Sequence, residues 1–161
     1  MGLPSDHPRQ TPRYAIALGS NRMGRHGHPR HEVRAAAAAL VGVVALSPII
    51  ETAPLGPSIR RYANAVALVE SVENPPDLLA RLKAIERAFG RRRGQPWGAR
   101  VIDLDIILWS EGAWSGAGLT VPHPAFRDRD FVLRPLLSVA ADWRDPITGL
   151  RIRHVHHRLL T

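Results

Sequence analysis

Two aspartates, Asp103 and Asp105, are separated by one residue within an otherwise apolar stretch, residues 101–108 (VIDLDIIL). In a β-strand the side chains at positions i and i+2 point to the same face, so the two carboxylates project together while Leu104 and Ile106 turn towards the core. Like charges held this close repel each other, and a bound Mg²⁺ ion is the common means of making such a pair tolerable. Magnesium prefers oxygen ligands together with substrate phosphates, so the pair indicates nucleotide chemistry. A solvated edge strand is the alternative.

A dense group of cations precedes this pair. It consists of Arg91, Arg92, Arg93 and Arg100, with Trp97 among them. Guanidinium groups bind phosphate oxygens through two parallel hydrogen bonds, and Mg²⁺ bridges the same oxygens, so the cations and the carboxylates become compatible when a triphosphate lies between them. The alternative is a solvated run of charge at the C-terminus of a helix, where cations are mildly favourable.

Other residue types that suit a binding site lie upstream and downstream of this segment. His123 is held between two prolines, which leaves little backbone freedom and suits a side chain that positions a ligand. Arg129 supplies a further cation. Tyr62 and Phe131 can stack on a flat heterocycle, and Asn64 can form hydrogen bonds with its polar edge. Each of these types alone is as typical of a turn or a core, so only their combination indicates a site.

The elements that must position these residues follow from apolar patterning and turn residues. Strands are predicted at residues 13–18, 43–52, 62–71 and 101–109, and helices at 31–40, at 77–89 and from about Phe131. The second and third strands are expected to pair antiparallel. The order strand, helix, strand, strand, helix, strand is that of a ferredoxin-like α+β sandwich, in which both helices cover one face of an antiparallel sheet and the other face is free for ligands. The C-terminal part is expected to decorate this core, with His154, His156 and His157 on a solvated tail without a function.

The composition is typical of one globular domain. The chain has 161 residues, of which 45% are hydrophobic, a formal net charge of +8 and no cysteine, so disulfides and thiolate metal sites are excluded. No apolar run approaches the roughly 18 residues that span a bilayer, and no secretion signal is evident, so we expect a cytoplasmic protein. It should consist of a loose extension, residues 1–12, and a single domain, residues 13–161. The positive net charge favours binding of an anionic partner, but it does not distinguish between nucleic acid, lipid headgroups and a phosphorylated small molecule.

Seven motifs follow one another along the chain. They are Gly19 to Asn21 (GSN), Thr52 to Gly56 (TAPLG), Tyr62 to Ala65 (YANA), Gly90 to Arg93 (GRRR), Trp97 to Asp105 (WGARVIDLD), Val121 to Pro124 (VPHP) and Arg129 to Leu133 (RDFVL). In this order they resemble the hydroxymethyldihydropterin pyrophosphokinase family of folate biosynthesis. The resemblance extends from about Tyr14 to at least Leu137.

The resemblance implies a ferredoxin-like enzyme that takes ATP and 6-hydroxymethyl-7,8-dihydropterin as substrates and binds two Mg²⁺ ions. It implies that Asp103 and Asp105 bind the metal ions, that Arg91, Arg93, Arg100 and His123 bind ATP, and that Arg91, Arg100 and Asp105 are catalytic. It assigns the pterin site to Thr52, Leu55, Tyr62, Asn64, Trp97, Arg129 and Phe131. In the implied reaction the pterin hydroxymethyl oxygen attacks the β-phosphorus of ATP in line and AMP is released, and we expect Asp105 to orient the attacking hydroxyl. We expect a monomer without a nucleic-acid or membrane partner.

The sequence departs from the family pattern in two loops. The segment between Gly56 and Tyr62 is slightly short and lacks the Gln that many members place before the aromatic position. The loop between Gly90 and Trp97 is also slightly short. Because these loops border the expected pterin site, a paralogue that acts on a modified pterin is one alternative.

An alternative of another class is a basic ferredoxin-like sheet that binds RNA. Modules of that kind carry stacking aromatic residues on their central strands. Here Asp103 and Asp105 occupy such a strand, and their carboxylates repel a phosphate backbone. The sequence therefore favours the enzyme.

Overall fold

One antiparallel sheet organises the molecule. The computed structural model describes residues 9–53, 61–90 and 101–161. Within these ranges the sheet contains β1 (Arg13–Ser20), β2 (Val43–Leu46), β3 (Ile50–Thr52), β4 (Tyr62–Glu70) and β5 (Asp103–Trp109). The strands run in the order β2, β4, β1, β5. β3 pairs with the first residues of β4, and β2 pairs with its later residues. The predicted antiparallel pairing of the second and third strands is therefore confirmed.

Two helices cover one face of this sheet, as predicted. They are α1 (Pro29–Ala39) and α2 (Pro75–Ala88). Alternate residues of β1 point towards them and are fully buried, which follows from the two-residue period of a strand. The core on this side contains Tyr14, Ile16, Leu18, Val33, Ala36, Leu78, Leu82, Leu104 and Ile106. The α+β sandwich predicted from the element order is thus confirmed.

The ends of α2 follow from its capping residues. The side chain of Asn74 accepts a hydrogen bond from the backbone N–H of Asp77 at 3.0 Å, and Pro75 occupies the first helical position, where a missing N–H costs nothing. After the C-cap residue Phe89, Gly90 adopts a φ of +104°, a conformation that favours glycine. The helix therefore ends just before the arginine-rich segment 91–100.

The opposite face of the sheet is half covered, which corrects the prediction that it is free for ligands. A 3₁₀ turn (Phe126–Asp128) and the helices α3 (Asp130–Ala140) and α4 (Ile152–Leu160) pack on it. Their buried contacts with the sheet include Ala15, Val66, Leu68, Leu133, Leu136, Ile152 and Val155. The uncovered half lies where β1 ends.

The boundaries of some elements differ from the predictions. The predicted strand 43–52 is two strands, β2 and β3, because Ser47 leaves the regular ladder and bonds Val66 through both its N–H and its hydroxyl, each at 2.9 Å. A hairpin, β6 (Trp114–Gly116) and β7 (Leu119–Val121), follows β5 in a stretch where no strand is predicted. The helix near Phe131 starts at Asp130 and is eleven residues long. The predicted C-terminal tail is the helix α4.

A buried ion pair fixes the C-terminal part. The carboxylate of Asp145 is fully buried and accepts hydrogen bonds from Nε and Nη2 of Arg127 at 2.5 and 2.8 Å. It also accepts hydrogen bonds from the N–H of Ile147 and the hydroxyl of Thr148. Burial raises the pKa of Asp145, but these hydrogen bonds outweigh burial and lower its pKa to about 2.

Candidate active site

A cavity of about 400 Å³ occupies the uncovered half of the sheet, beside the N-terminus of α3. Its walls combine residues that are far apart in the sequence. Seven of the predicted site residues line it: Tyr62, Asn64, Asp103, Asp105, His123, Arg129 and Phe131. Acidic, basic, amide and aromatic groups therefore face one space.

Three neighbouring strands align one residue each in a row across the floor of this cavity. Gly19 of β1 lies opposite Asn64 of β4 on one side and opposite Asp103 of β5 on the other. Directly opposed residues of antiparallel strands share a face, so Asn64 and Asp103 point into the same space, with Cα atoms about two strand spacings, or roughly 10 Å, apart. A Cβ atom at position 19 would lie 3.1 Å from Oδ1 of Asn64, so glycine leaves room for this amide.

The Asn64 amide is nearly buried, with 8% of the residue exposed. Among the described residues, none forms a hydrogen bond with its side chain. A bound ligand with donors and acceptors along one edge could form hydrogen bonds with this amide. Tyr62, two residues earlier on the same strand face, forms the neighbouring wall.

The aspartate pair has the orientation that the sequence predicts. Leu104 and Ile106 are buried in the core on the helix side, whereas Asp103 is exposed and Asp105 half-buried on the cavity side. Across the ladder Asp105 faces Ala17, whose small side chain leaves the space above it open. Among the described residues, no group of three or more His, Asp or Glu side chains is placed to hold a metal ion by itself. Two carboxylates without a full protein cage fit Mg²⁺, which takes few protein ligands and completes its shell with water and phosphate oxygens.

Two hydrogen bonds hold His123. Its backbone N–H donates to the carbonyl of Ile107 at 3.0 Å, and its ring Nδ1 accepts from the backbone N–H of Ala125 at 3.1 Å. Burial lowers the pKa of His123, Arg129 lowers it further, and Asp105 opposes both. The ring is therefore neutral at pH 7 with its proton on Nε2, and it can donate that proton in a hydrogen bond to an anion.

The N-terminus of α3 presents a cation and an aromatic ring. The guanidinium of Arg129 lies 5.8 Å from the centre of the Phe131 ring. Between them, Asp130 forms a hydrogen bond with Nε2 of His156 at 3.0 Å and an ion pair with Arg134 at 2.7 Å. Burial raises the pKa of Asp130, but the partners His156 and Arg134 outweigh burial and hold its pKa below the ordinary value. The C-terminal helix α4 thus supports this wall, whereas the sequence predicted that His156 has no function.

The remaining predicted residues divide into two groups. Thr52 pairs with Tyr62 in the β3–β4 ladder but is not among the described residues that line the cavity. Leu55, Arg91, Arg93, Trp97 and Arg100 lie outside the described residues. Their predicted roles stay predictions.

The cavity also has walls to which the sequence assigned no role. Gly19, Ser20 and Asn21 line it at the end of β1, and Ile107 and Val132 supply apolar surface. The signal for the first three was the Gly-Ser-Asn motif directly after a predicted strand, since such residues allow a ligand to approach the backbone closely. Asn21 and Tyr62 also border a second cavity of about 510 Å³.

Comparisons with known proteins identify the family to which the chain is similar. The model of the family described as 7,8-dihydro-6-hydroxymethylpterin-pyrophosphokinase matches residues 15–141. The 2-amino-4-hydroxy-6-hydroxymethyldihydropteridine pyrophosphokinase of Pseudomonas aeruginosa is 41% identical over 140 residues, which cover 83% of this chain and 84% of that protein. The enzyme of the same name from Synechocystis is 36% identical over 154 residues, covering 92% of this chain and 77% of that protein.

A solved structure supports the fold independently of sequence. The HPPK-DHPS protein of Plasmodium falciparum superposes with a TM-score of 0.70 at 12% identity, covering 95% of this chain. This chain spans about 45% of that protein's length. A likeness at this low identity extends to the fold alone.

Proposed function

The chain belongs to the 7,8-dihydro-6-hydroxymethylpterin-pyrophosphokinase family, and we propose that it transfers the pyrophosphoryl group of ATP to the hydroxymethyl oxygen of 6-hydroxymethyl-7,8-dihydropterin, releasing AMP. This reaction is a step of folate biosynthesis. The observation that carries the proposal is the row of Asn64, Gly19 and Asp103 across the cavity floor. A bicyclic pterin that bonds the amide at one end can bring its hydroxymethyl group to the aspartate pair at the other.

The pterin ring would bind between aromatic and amide groups. Tyr62 and Phe131 both line the cavity and would stack on the ring, and the amide of Asn64 would bond its polar edge. Arg129, beside Phe131, adds a donor. Thr52, Leu55 and Trp97 would complete this site as the family resemblance implies.

The ATP phosphates would bind between the aspartates and the cations. Asp103 and Asp105 would hold two Mg²⁺ ions, which when bound neutralise charge on the phosphate oxygens. The Nε2–H group of His123 would donate to a phosphate oxygen. Arg91, Arg93 and Arg100 would supply the remaining positive charge, because phosphoryl-type transfer depends mainly on positioning and electrostatics.

In the transfer step the hydroxymethyl oxygen forms a bond to the β-phosphorus and releases its proton to solvent, while the bond from that phosphorus to the α,β-bridging oxygen breaks. AMP leaves with the bridging oxygen. Asp105 accepts a hydrogen bond from the attacking hydroxyl and orients it in line with the breaking bond. Arg91 and Arg100 stabilise the charge that develops on the transferred group.

We also propose that residues 13–161 act as one monomeric domain in the cytoplasm, preceded by an extension, residues 1–12. Within the described residues, the longest helix, α2, has 14 residues, and none is long and apolar enough to cross a bilayer. Light scattering on the purified chain would test the monomer, since a dimer would double the measured mass.

The activity is tested by incubating the chain with ATP, Mg²⁺ and 6-hydroxymethyl-7,8-dihydropterin and identifying the products by mass spectrometry. The proposal predicts AMP and a pterin diphosphate in equal amounts. ADP with a pterin monophosphate would contradict it. Binding of the pterin without turnover would instead favour the modified-pterin alternative.

A further inference from the structure

A buried carboxylate of α2 is bonded to the backbone between the two aspartates of the cavity. Glu86, in the last turn of α2, is only 5% exposed. Its Oε1 accepts a hydrogen bond from the backbone N–H of Leu104 at 2.9 Å, and its Oε2 forms an ion pair with Lys83 at 3.3 Å. Because Leu104 is fully buried, its N–H needs an acceptor from the protein. Glu86 therefore ties α2 to the peptide bond that links Asp103 to Leu104.

The place of the aspartates in β5 explains why such an anchor matters. Within the described residues, β5 is the last strand in the order of the sheet and pairs with β1 along one edge. An edge strand leaves alternate N–H and C=O groups without a strand partner, and the end of a strand frays most readily. Asp103 is the first residue of β5 and Asp105 the third. The hydrogen bond to Leu104 therefore holds β5 where its own ladder is weakest.

A register shift separates the aspartates from the rest of β5. Ile16 of β1 lies opposite Ile106, whereas the residue before it in β1 lies opposite Leu108. Ile107 is thus an extra residue in the ladder, and its carbonyl accepts a hydrogen bond from the N–H of His123 at 3.0 Å. An extra residue bends a strand and interrupts its ladder locally. The first part of β5, which carries the aspartates, therefore depends on its own anchor, the one on α2.

We propose that Glu86 is a positioning residue for the metal ions, which fixes the direction in which the two aspartates project from β5 by holding the N–H of Leu104. This inference rests on the proposed function, because it takes the aspartate pair as the ligands of Mg²⁺. Glu86 is not among the described residues that line the cavity, and the side chain of Leu104 turns to the core, so the effect passes through the backbone. Replacing a group that orients metal ligands typically changes metal affinity or activity by about 10- to 100-fold.

Two variants of Glu86 separate the reach of its side chain from its charge. Glu86→Gln removes the charge but keeps an oxygen acceptor at the same distance from the backbone of α2. Glu86→Asp keeps the charge but withdraws the carboxylate by one C–C bond, about 1.5 Å, which breaks the hydrogen bond of 2.9 Å to Leu104. Asn74→Ala is the matched control. The side chain of Asn74 also accepts a hydrogen bond from a backbone N–H of α2, at 3.0 Å, but at the opposite end of the helix.

The experiment measures the dissociation constant of α,β-methylene-ATP by calorimetry, once with excess Mg²⁺ and once with EDTA. This analogue replaces the bridging oxygen that the transfer step cleaves, so no turnover occurs, and the ratio of the two constants gives the part of the affinity that depends on Mg²⁺. We expect Glu86→Asp to reduce this ratio about tenfold or more, and Glu86→Gln and Asn74→Ala to keep it within about threefold of the wild type. A purely structural role would instead lower the melting temperatures of Glu86→Asp and Asn74→Ala alike and leave the ratio unchanged.

A wild-type ratio in Glu86→Asp would overturn the inference while leaving the proposed function intact. A loss in Glu86→Gln that equals or exceeds the loss in Glu86→Asp would overturn it too, since the reach of the side chain would then not explain the effect. A wild-type chain that binds the analogue more tightly with Mg²⁺ but forms no AMP would contradict the proposed function alone, because the calorimetry needs no turnover. Should Glu86→Asp fail to fold, Glu86→Met, which keeps the length of the side chain without an oxygen acceptor, takes its place.

Discussion

Gly19 lies directly opposite Asn64 across the central pair of strands, and a Cβ atom at position 19 would crowd the amide oxygen of Asn64. Gly19→Ala would place a Cβ 3.1 Å from that oxygen and turn the amide away from a bound ring. Because a lost hydrogen bond in a buried site costs about 1–3 kcal/mol, we expect KM for the pterin to rise about tenfold or more. Steady-state kinetics measure this. In an Asn64→Ala background the same change should add nothing, and an additive loss would show that Gly19 acts elsewhere.

The sequence predicted which side chains of β5 face this cavity, but not the register of the strands that form its floor. The alternation in VIDLDIIL was sufficient to orient Asp103 and Asp105, because the strand period fixes faces locally. The row of Asn64, Gly19 and Asp103 depends on how three strands align, and no local pattern encodes that alignment. The role of Gly19 could therefore not be predicted from sequence.

The C-terminal half of the fold was harder to predict. Ile152 and Val155 recur at helical spacing in α4, but five of the nine residues of this helix are Arg or His, so the segment resembled a solvated tail. Its burial depends on the sheet face that it covers, which is a long-range contact. Leu55, Arg91, Arg93, Trp97 and Arg100 lie outside the described residues, so their assignments rest on the family resemblance.

His123 should act as a neutral hydrogen-bond donor rather than as a cation. His123→Gln places an amide N–H near the position of Nε2, whereas His123→Ala removes the donor. We expect the Gln variant to keep KM for ATP within about threefold and the Ala variant to raise it about 10- to 100-fold, because a hydrogen bond to a charged group contributes about 1.5–3 kcal/mol. Kinetics at saturating pterin test this. Equal losses in both variants would indicate that the positive charge of His123 matters.

His156 should support the pterin wall through Asp130. His156→Ala removes the 3.0 Å bond between α4 and the start of α3, so Arg129 and Phe131 lose part of their support. We expect KM for the pterin to rise roughly threefold to tenfold, which corresponds to about 1 kcal/mol, and His156→Gln to restore most of it. His157→Ala, on the exposed side of the same helix, is the control. An unchanged KM in His156→Ala would contradict the role.

Asp145 should make the free energy of unfolding depend on pH in the acidic range. The pKa of Asp145 in the folded chain, about 2, lies below its ordinary value of 3.8, so its contribution is present in full above about pH 4 and is lost as the pH falls towards 2. The shift corresponds to about 2 kcal/mol of unfolding free energy. Asp145→Asn should lower stability at pH 7 by roughly 3 kcal/mol, because it leaves Arg127 without its charge partner. Urea unfolding of the wild type and of Asp145→Asn between pH 7 and 2 measures the free energy of unfolding at each pH. The difference between the two proteins should shrink as the pH falls, and a difference that stays constant would contradict the role of Asp145.

The most direct test of the account is the turnover of Asp105→Asn with saturating ATP, pterin and Mg²⁺. Asp105 lies half-buried on the cavity side of β5, where it would both hold metal and orient the attacking hydroxyl. Removing its charge should lower kcat by about a thousandfold, or roughly 4 kcal/mol of barrier, while the pterin alone binds as before. Near-normal turnover of this variant would contradict both the metal site and the orienting role.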